Sequence, residues 1–170
     1  MGKMVGQLGR EIGKIEPFDS LEQEVFLNCL KTADWLSRGG AALLKSAGLS
    51  ITQYNVLRIL RGVGPTGISC QEIANRMITR DPDLTRLLDR LEKRGMVRRE
   101  RQYDDRRVIK AYITEEGLTL LAGLDKPIAE LHKRLLSHMG PERLNQFLQL
   151  LEEARQTQDG GSPTPSSEIS

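Results

Sequence analysis

A mainly α-helical domain carrying a small β-hairpin wing is the fold class that the sequence predicts, and three observations predict it. Apolar residues recur at helical spacing along most of residues 21–151. At one place only, after Gly95, the period turns extended: "MVRRERQ" and "VIKAYIT" flank the charged "YDDRR". The chain of 170 residues is 38% hydrophobic and 28% charged, enough apolar content for one real core.

The elements follow in order. Residues 1–17 hold several glycines and end in Glu16-Pro17, and read as an N-terminal arm. Residues 18–48 read as a long helix: Leu21, Val25, Leu30, Ala33 and Leu36 share a stripe, Asp19-Ser20 supplies the cap, and Gly39-Gly40 is expected to weaken or end it. Ser50 opens a short helix through Tyr54, Leu57 and Leu60, closed at Gly62. "GPTGIS" reads as a turn. Ser69 with Glu72 three residues on is a capping box that opens the next helix. Asp81-Pro82 is a start signal for another, which runs to Gly95 with Leu84, Leu87, Leu88 and Leu91 on one face. Its other face offers Asp83, Thr85, Arg86, Asp89, Arg90 and Lys93.

Beyond the two extended runs, Thr114-Glu115-Glu116 starts a helix striped by Leu118, Leu121, Leu124, Ile128, Leu131 and Leu135, with a kink or break expected at Pro127. Gly140-Pro141-Glu142 opens a final helix carrying Leu144, Phe147, Leu148 and Leu151. Residues 157–170, "TQDGGSPTPSSEIS", end in a Gly/Ser/Pro-rich run and are expected to be disordered. Residues 49–114 then read helix, helix, helix, strand, charged tip, strand. That is a winged helix-turn-helix, with the long helices of 18–48 and 115–156 on either side.

Several classes of function are disfavoured. No apolar run approaches the ~20 residues that span a bilayer, and "MGKMVGQLGREIGKIEPF" has no apolar signal core, so no membrane partner and a cytoplasmic location are expected. Two cysteines make no disulfide framework. His132 and His138 fall on different helix faces and have no ligand cluster about them, so no metal is expected. With no phosphate loop or Ser/His/Asp set, neither a cofactor nor an enzyme is expected. Charge points elsewhere. Residues 76–110 hold twelve basic and seven acidic residues, a local +5 within a chain of net +2. A basic segment in an otherwise mildly acidic chain suits an anionic polymer, although a solvated charged face would give the same count.

The residues then become specific. "ITQYNVLRILRG" and "LTRLLDRLEKRGMVRRERQYDDRRVIKAYITEEG", together with the two C-terminal helices, resemble the multiple-antibiotic-resistance regulator (MarR) family of bacterial transcription factors over about residues 20–155. The series Thr85, Arg86, Asp89, Leu91, Gly95, Val97, followed by Asp-Arg-Arg and Ile-Thr-x-x-Gly, carries the resemblance. Pro82 stands where many members have small polar residues, which bears on base preference. The resemblance implies a regulator, a repressor by expectation, that binds double-stranded DNA as a homodimer, with a cleft that takes a small aromatic ligand.

Residues can be assigned on that footing. N-terminal residues of a recognition helix reach base edges, so Thr85 and Arg86 are expected in the major groove, with Asp83 beside them. Arg90 is expected on phosphate, as is Ser69 through its hydroxyl and its helix's free N–H groups. The alternative for Arg90 and Arg94 is ion pairing within the helix to Asp89 or Glu92. The family's wing Asp-x-Arg pair maps onto Asp105 and Arg107: the carboxylate holds the guanidinium extended toward a narrow, strongly negative minor groove. Arg106 is expected on phosphate. The alternative is a merely soluble hairpin tip.

The first and last long helices are expected to dimerise, because one winged domain has too little core to cover both stripes. Two further readings stand beside this one. The module could serve protein–protein assembly, which usually lacks a basic recognition helix. It could also sense redox state through Cys29 or Cys70, as some relatives do with a cysteine near the start of the first helix and tyrosines alongside. Here Phe26 and Trp35 are the aromatic neighbours of Cys29, so packing is the favoured reading for Cys29, and Cys70 is read as inert.

Overall fold

The computed structural model describes residues 6–102 and 108–156, and the chain divides after Ile128 into two compact units. In the first unit the expected arm carries a short helix, α1 (Gln7–Glu11), with Leu8 buried. Helix α2 (Leu21–Ser46) starts where Ser20 accepts a hydrogen bond from the Gln23 amide at 3.1 Å. It runs straight through Gly39-Gly40, against expectation. Each glycine costs a helix about 1 kcal/mol relative to alanine, but Ala41, Ala42 and Leu43 are good helix formers and buried Leu44 anchors the last turn in the core.

Helix α3 (Ile51–Val63) has a full capping box between Ser50 and Gln53. Its stop is Gly64, at φ +71°, and not Gly62, which keeps a negative φ. "GPTGIS" is more than a turn. A 3₁₀ turn (Gly64–Thr66) leads into a two-residue strand, β1 (Ile68–Ser69), too short to leave any periodicity in the sequence. Ile68 is buried, and at Gly67 (φ +58°) a Cβ would overlap the ring of Tyr112, so the chain can pass there only as glycine.

Helix α4 (Cys70–Arg76) follows from the Ser69–Glu72 capping box. Helix α5 (Leu84–Lys93) begins later than Asp81-Pro82 suggests: the Asp81 carboxylate accepts the Asp83 amide at 2.8 Å and makes a turn that leaves Pro82 outside the helix. It ends as expected at Gly95, where the amides of Gly95 and Met96 return to the carbonyls of Glu92 and Leu91 at 2.9 and 3.0 Å. That double bond closes the helix and aims the chain into the wing.

Strands β2 (Val97–Arg101) and β3 (Ile109–Ile113) form the hairpin, and β1 adds to β3, giving an antiparallel sheet of order β1-β3-β2. Val97 faces Ile113, and Arg99 and Ile68 both face buried Ala111. The Ile113-Thr114-x-x-Gly117 pattern now has a cause. The Thr114 hydroxyl donates to the Gly95 carbonyl at 2.6 Å and accepts the Gly117 amide at 3.2 Å, and a Cβ on Gly117 would sit 2.5 Å from the Met96 carbonyl.

Helix α6 (Glu115–Leu136) is unbroken at Pro127, where a kink or a break is expected. Pro127 removes one backbone hydrogen bond, and the burial of Leu121, Leu124 and Ile128, about 2 kcal/mol per fully buried side chain, outweighs it. Within the first unit, Arg61 of α3 and Asp125 of α6 pair through two bonds of 2.9 and 2.8 Å. That pairing raises the arginine's pKa and holds the carboxyl below its ordinary value. The second unit contains the end of α6, a 3₁₀ turn (Ser137–Met139) and α7 (Gly140–Glu153), opened by Pro141. Among the described residues, no helix is long and apolar enough to cross a membrane.

Candidate nucleic-acid interface

Helix α5 is divided cleanly by its own periodicity. Leu84, Leu87, Leu88 and Leu91 are buried, while Thr85, Arg86, Arg90 and Lys93 are exposed. The leucine face joins the core formed by α2, α3, α4 and the sheet, so the cationic face can only point outward. At its start Asp83 makes no cap hydrogen bond. Its carboxylate lies 3.3 Å from the Arg86 guanidinium, an exposed pair that orients the arginine at little energetic gain.

The acids of α5 are engaged elsewhere. Arg99, the central residue of β2, binds Asp89 at 2.5 Å and Glu92 at 2.6 and 3.0 Å, and its own amide donates to Glu92 at 3.0 Å. The Glu92 bond first, and Asp89 after it, raises the guanidinium's pKa. The alternative, pairing of Asp89 or Glu92 with Arg90 and Arg94, is not found: strand geometry puts a stronger fork within reach than helical neighbours do. Arg94 instead donates to the carbonyls of Gly48 at 2.5 Å and Ala47 at 3.3 Å, closing the C-terminal end of α2. Arg90 and Lys93 have no ion-pair partner among the described residues.

Arg99 was the residue that sequence reasoning missed, yet a signal existed. Alternation along β2 puts Arg99 on the side of buried Val97, and a cation at an inward position needs an anion. Asp89 and Glu92, three apart on a helix, are that anion.

Ser69, expected on phosphate, also caps its own helix. Its hydroxyl donates to Glu72 at 2.8 Å and accepts the Glu72 amide at 3.3 Å, so the hydroxyl proton is already committed; the Ser69 amide, donating to the same carboxylate at 2.9 Å, and then the hydroxyl depress the Glu72 pKa. Asp105, Arg106 and Arg107 lie outside the described residues. The stem below them is described: the Gln102 amide donates to the Val108 carbonyl at 3.0 Å, and its side chain donates to the Tyr112 hydroxyl at 3.2 Å. Arg98 stacks 4.2 Å above the Tyr112 ring and pairs with Glu100.

A cleft of about 470 Å³ opens at the wing's base, lined by Arg61, Pro65, Arg98, Tyr112 and the first turn of α6. Cys29 is exposed on the single chain, on the face of α2 that carries Phe26 and Leu30, themselves exposed. Cys70 is half-buried. Among the described residues, no cluster of His, Cys, Asp and Glu is arranged to hold a metal ion.

Residues 49–109 match the MarR family model. The fold aligns with a MarR transcription factor from Planctomyces limnophilus at a TM-score of 0.63 and 40% identity, over 80% of this chain and 98% of that one. An HTH-type transcriptional regulator, YfiV of Bacillus subtilis, is 31% identical over 72% of this chain and 76% of its own length. The structure of NadR in complex with 4-hydroxyphenylacetate is 25% identical at a TM-score of 0.64, over 81% of this chain and 96% of that one.

Proposed function

The chain belongs to the MarR family and is a DNA-binding transcriptional regulator, and from that premise we propose that it is a cytoplasmic, homodimeric repressor released by a small aromatic ligand. In this reading residues 49–114 form the DNA-binding lobe, and the helices of residues 18–48 and 115–156 form the dimer. One observation carries it: α5 turns Thr85, Arg86, Arg90 and Lys93 outward while its acids are drawn inward to Arg99. A helix so divided can lie in the major groove without presenting carboxylates to phosphate.

The roles divide by position. Thr85 and Arg86, in the first turn, read base edges, with Asp83 setting the arginine's rotamer. Arg90, one turn on, meets phosphate. Asp105 orients Arg107 for the minor groove, and Arg106 meets the backbone beside it. The first-turn N–H groups of α4 that the capping box leaves free, and not the Ser69 hydroxyl, are the better phosphate donors there. The ligand reading is supported by the aromatic acid held by NadR. Regulation through Cys29 gains from that thiol's exposure, and oxidation that releases DNA without ligand would favour it over ligand control.

Gel-shift titration of genomic fragments tests the reading. Arg86→Ala should relax sequence preference, whereas Arg90→Ala should weaken all sequences alike and lower the salt slope by about one. Arg107→Ala should cost about 1–3 kcal/mol, most on A·T-rich flanks, and Asp105→Ala less. Parental specificity for Arg86→Ala across a randomised duplex library would refute the assignment of α5.

A further inference from the structure

Arg99 makes four hydrogen bonds to two carboxylates of the recognition helix and is only 22% exposed. It sits on the wing's first strand, so the bonds join the two elements that would straddle DNA. We propose that Arg99 is a positioning residue that acts as an internal counter-cation: it ties up Asp89 and Glu92 and halves their combined charge, and thereby fits α5 to a polyanion without touching DNA itself. This rests on the reading of α5 as the DNA-contacting helix.

The physics is a comparison of fields. Asp89 and Glu92 are adjacent to Arg90 and Lys93 along α5, on side chains that are 42% and 37% exposed. Left uncancelled, two carboxylates would offset the two cations, and the helix would present almost no net attraction to phosphate. Bridged by one forked guanidinium, the pair keeps a single net negative charge, so the two outer cations are left with a net attraction to phosphate. The same bonds fix the angle between α5 and β2, so charge and geometry depend on one side chain.

Rescue separates these effects. Binding is measured by fluorescence anisotropy on two probes: a duplex enriched by the parent chain from a randomised library, and a random-sequence duplex. Arg99→Met should weaken binding to both by about tenfold, the size expected for one uncovered negative charge within a Debye length of the phosphates. Adding Asp89→Asn and Glu92→Gln to Arg99→Met should recover most of that loss, because the charges needing cancellation are gone. Asp89→Asn with Glu92→Gln in the parent background should bind the random duplex more tightly, with a salt slope steeper by about one, since a guanidinium is released. This last pair keeps the claim open to refutation even if Arg99→Met does not fold. Parental affinity for Arg99→Met, no recovery in the triple variant, or no tightening in the double variant would each overturn the counter-cation. A parent chain that binds neither probe would overturn the DNA-binding reading and this inference with it.

Discussion

Leu30→Glu is expected to leave each chain folded while abolishing the dimer and operator binding together. Leu30 is 55% exposed on α2, on the same face as Phe26 one turn earlier, which is also exposed, so a charge there disturbs nothing inside the chain. Solvent contact over an apolar helix face is costly for a lone subunit and would be relieved by a second copy across the two-fold axis of the proposed dimer. Without the partner, one recognition helix must hold DNA alone. The loss of its tethered twin should weaken operator binding by about a hundredfold or more. Leu148 of α7, 53% exposed, is the matching site on the last helix. Phe147 is half-buried, so a charge there would test folding as well as assembly. Sedimentation equilibrium checks this: a dimer that survives Leu30→Glu at micromolar concentration places the seam elsewhere.

Leu88→Ala should act on stability. Leu88 is fully buried at the middle of α5, packed in the core with Leu57, Leu60 and Ile73 nearby in the same cluster. Removing its branched end should cost about 3 kcal/mol by chemical denaturation, with lost transfer energy and the cavity both contributing. DNA affinity should fall with it only to the extent that the folded fraction falls. An unchanged unfolding midpoint would mean that α5 is not seated by this face.

Much of this molecule is written in local patterns. Capping at Ser20, Ser50 and Ser69 is legible because a hydroxyl or carboxylate must answer the free amides of a first turn, within a few residues. Gly95 is legible for the same reason: a left-handed end of helix needs glycine. The errors lie where tertiary contacts overrule such signals. Gly39-Gly40 and Pro127 are helix breakers by propensity, and both are carried by apolar burial farther along the helix. Strand β1 has two residues, and only pairing with β3 defines it. At the candidate site, the outward cations of α5 follow from its leucine spacing. The Arg99 fork was hidden, since its partners lie seven and ten residues away and intrahelical pairing looked nearer.

The central claim is that two copies of α5 read DNA together, and selection of duplexes from a randomised library by the parent chain tests it most directly. Sequencing of the bound pool should return a pseudo-palindrome whose half-sites are centred about 10 base pairs apart, one helical turn, as two-fold symmetry demands. An enriched motif with a single unrepeated half-site, or a pool with no enrichment at all, would contradict it.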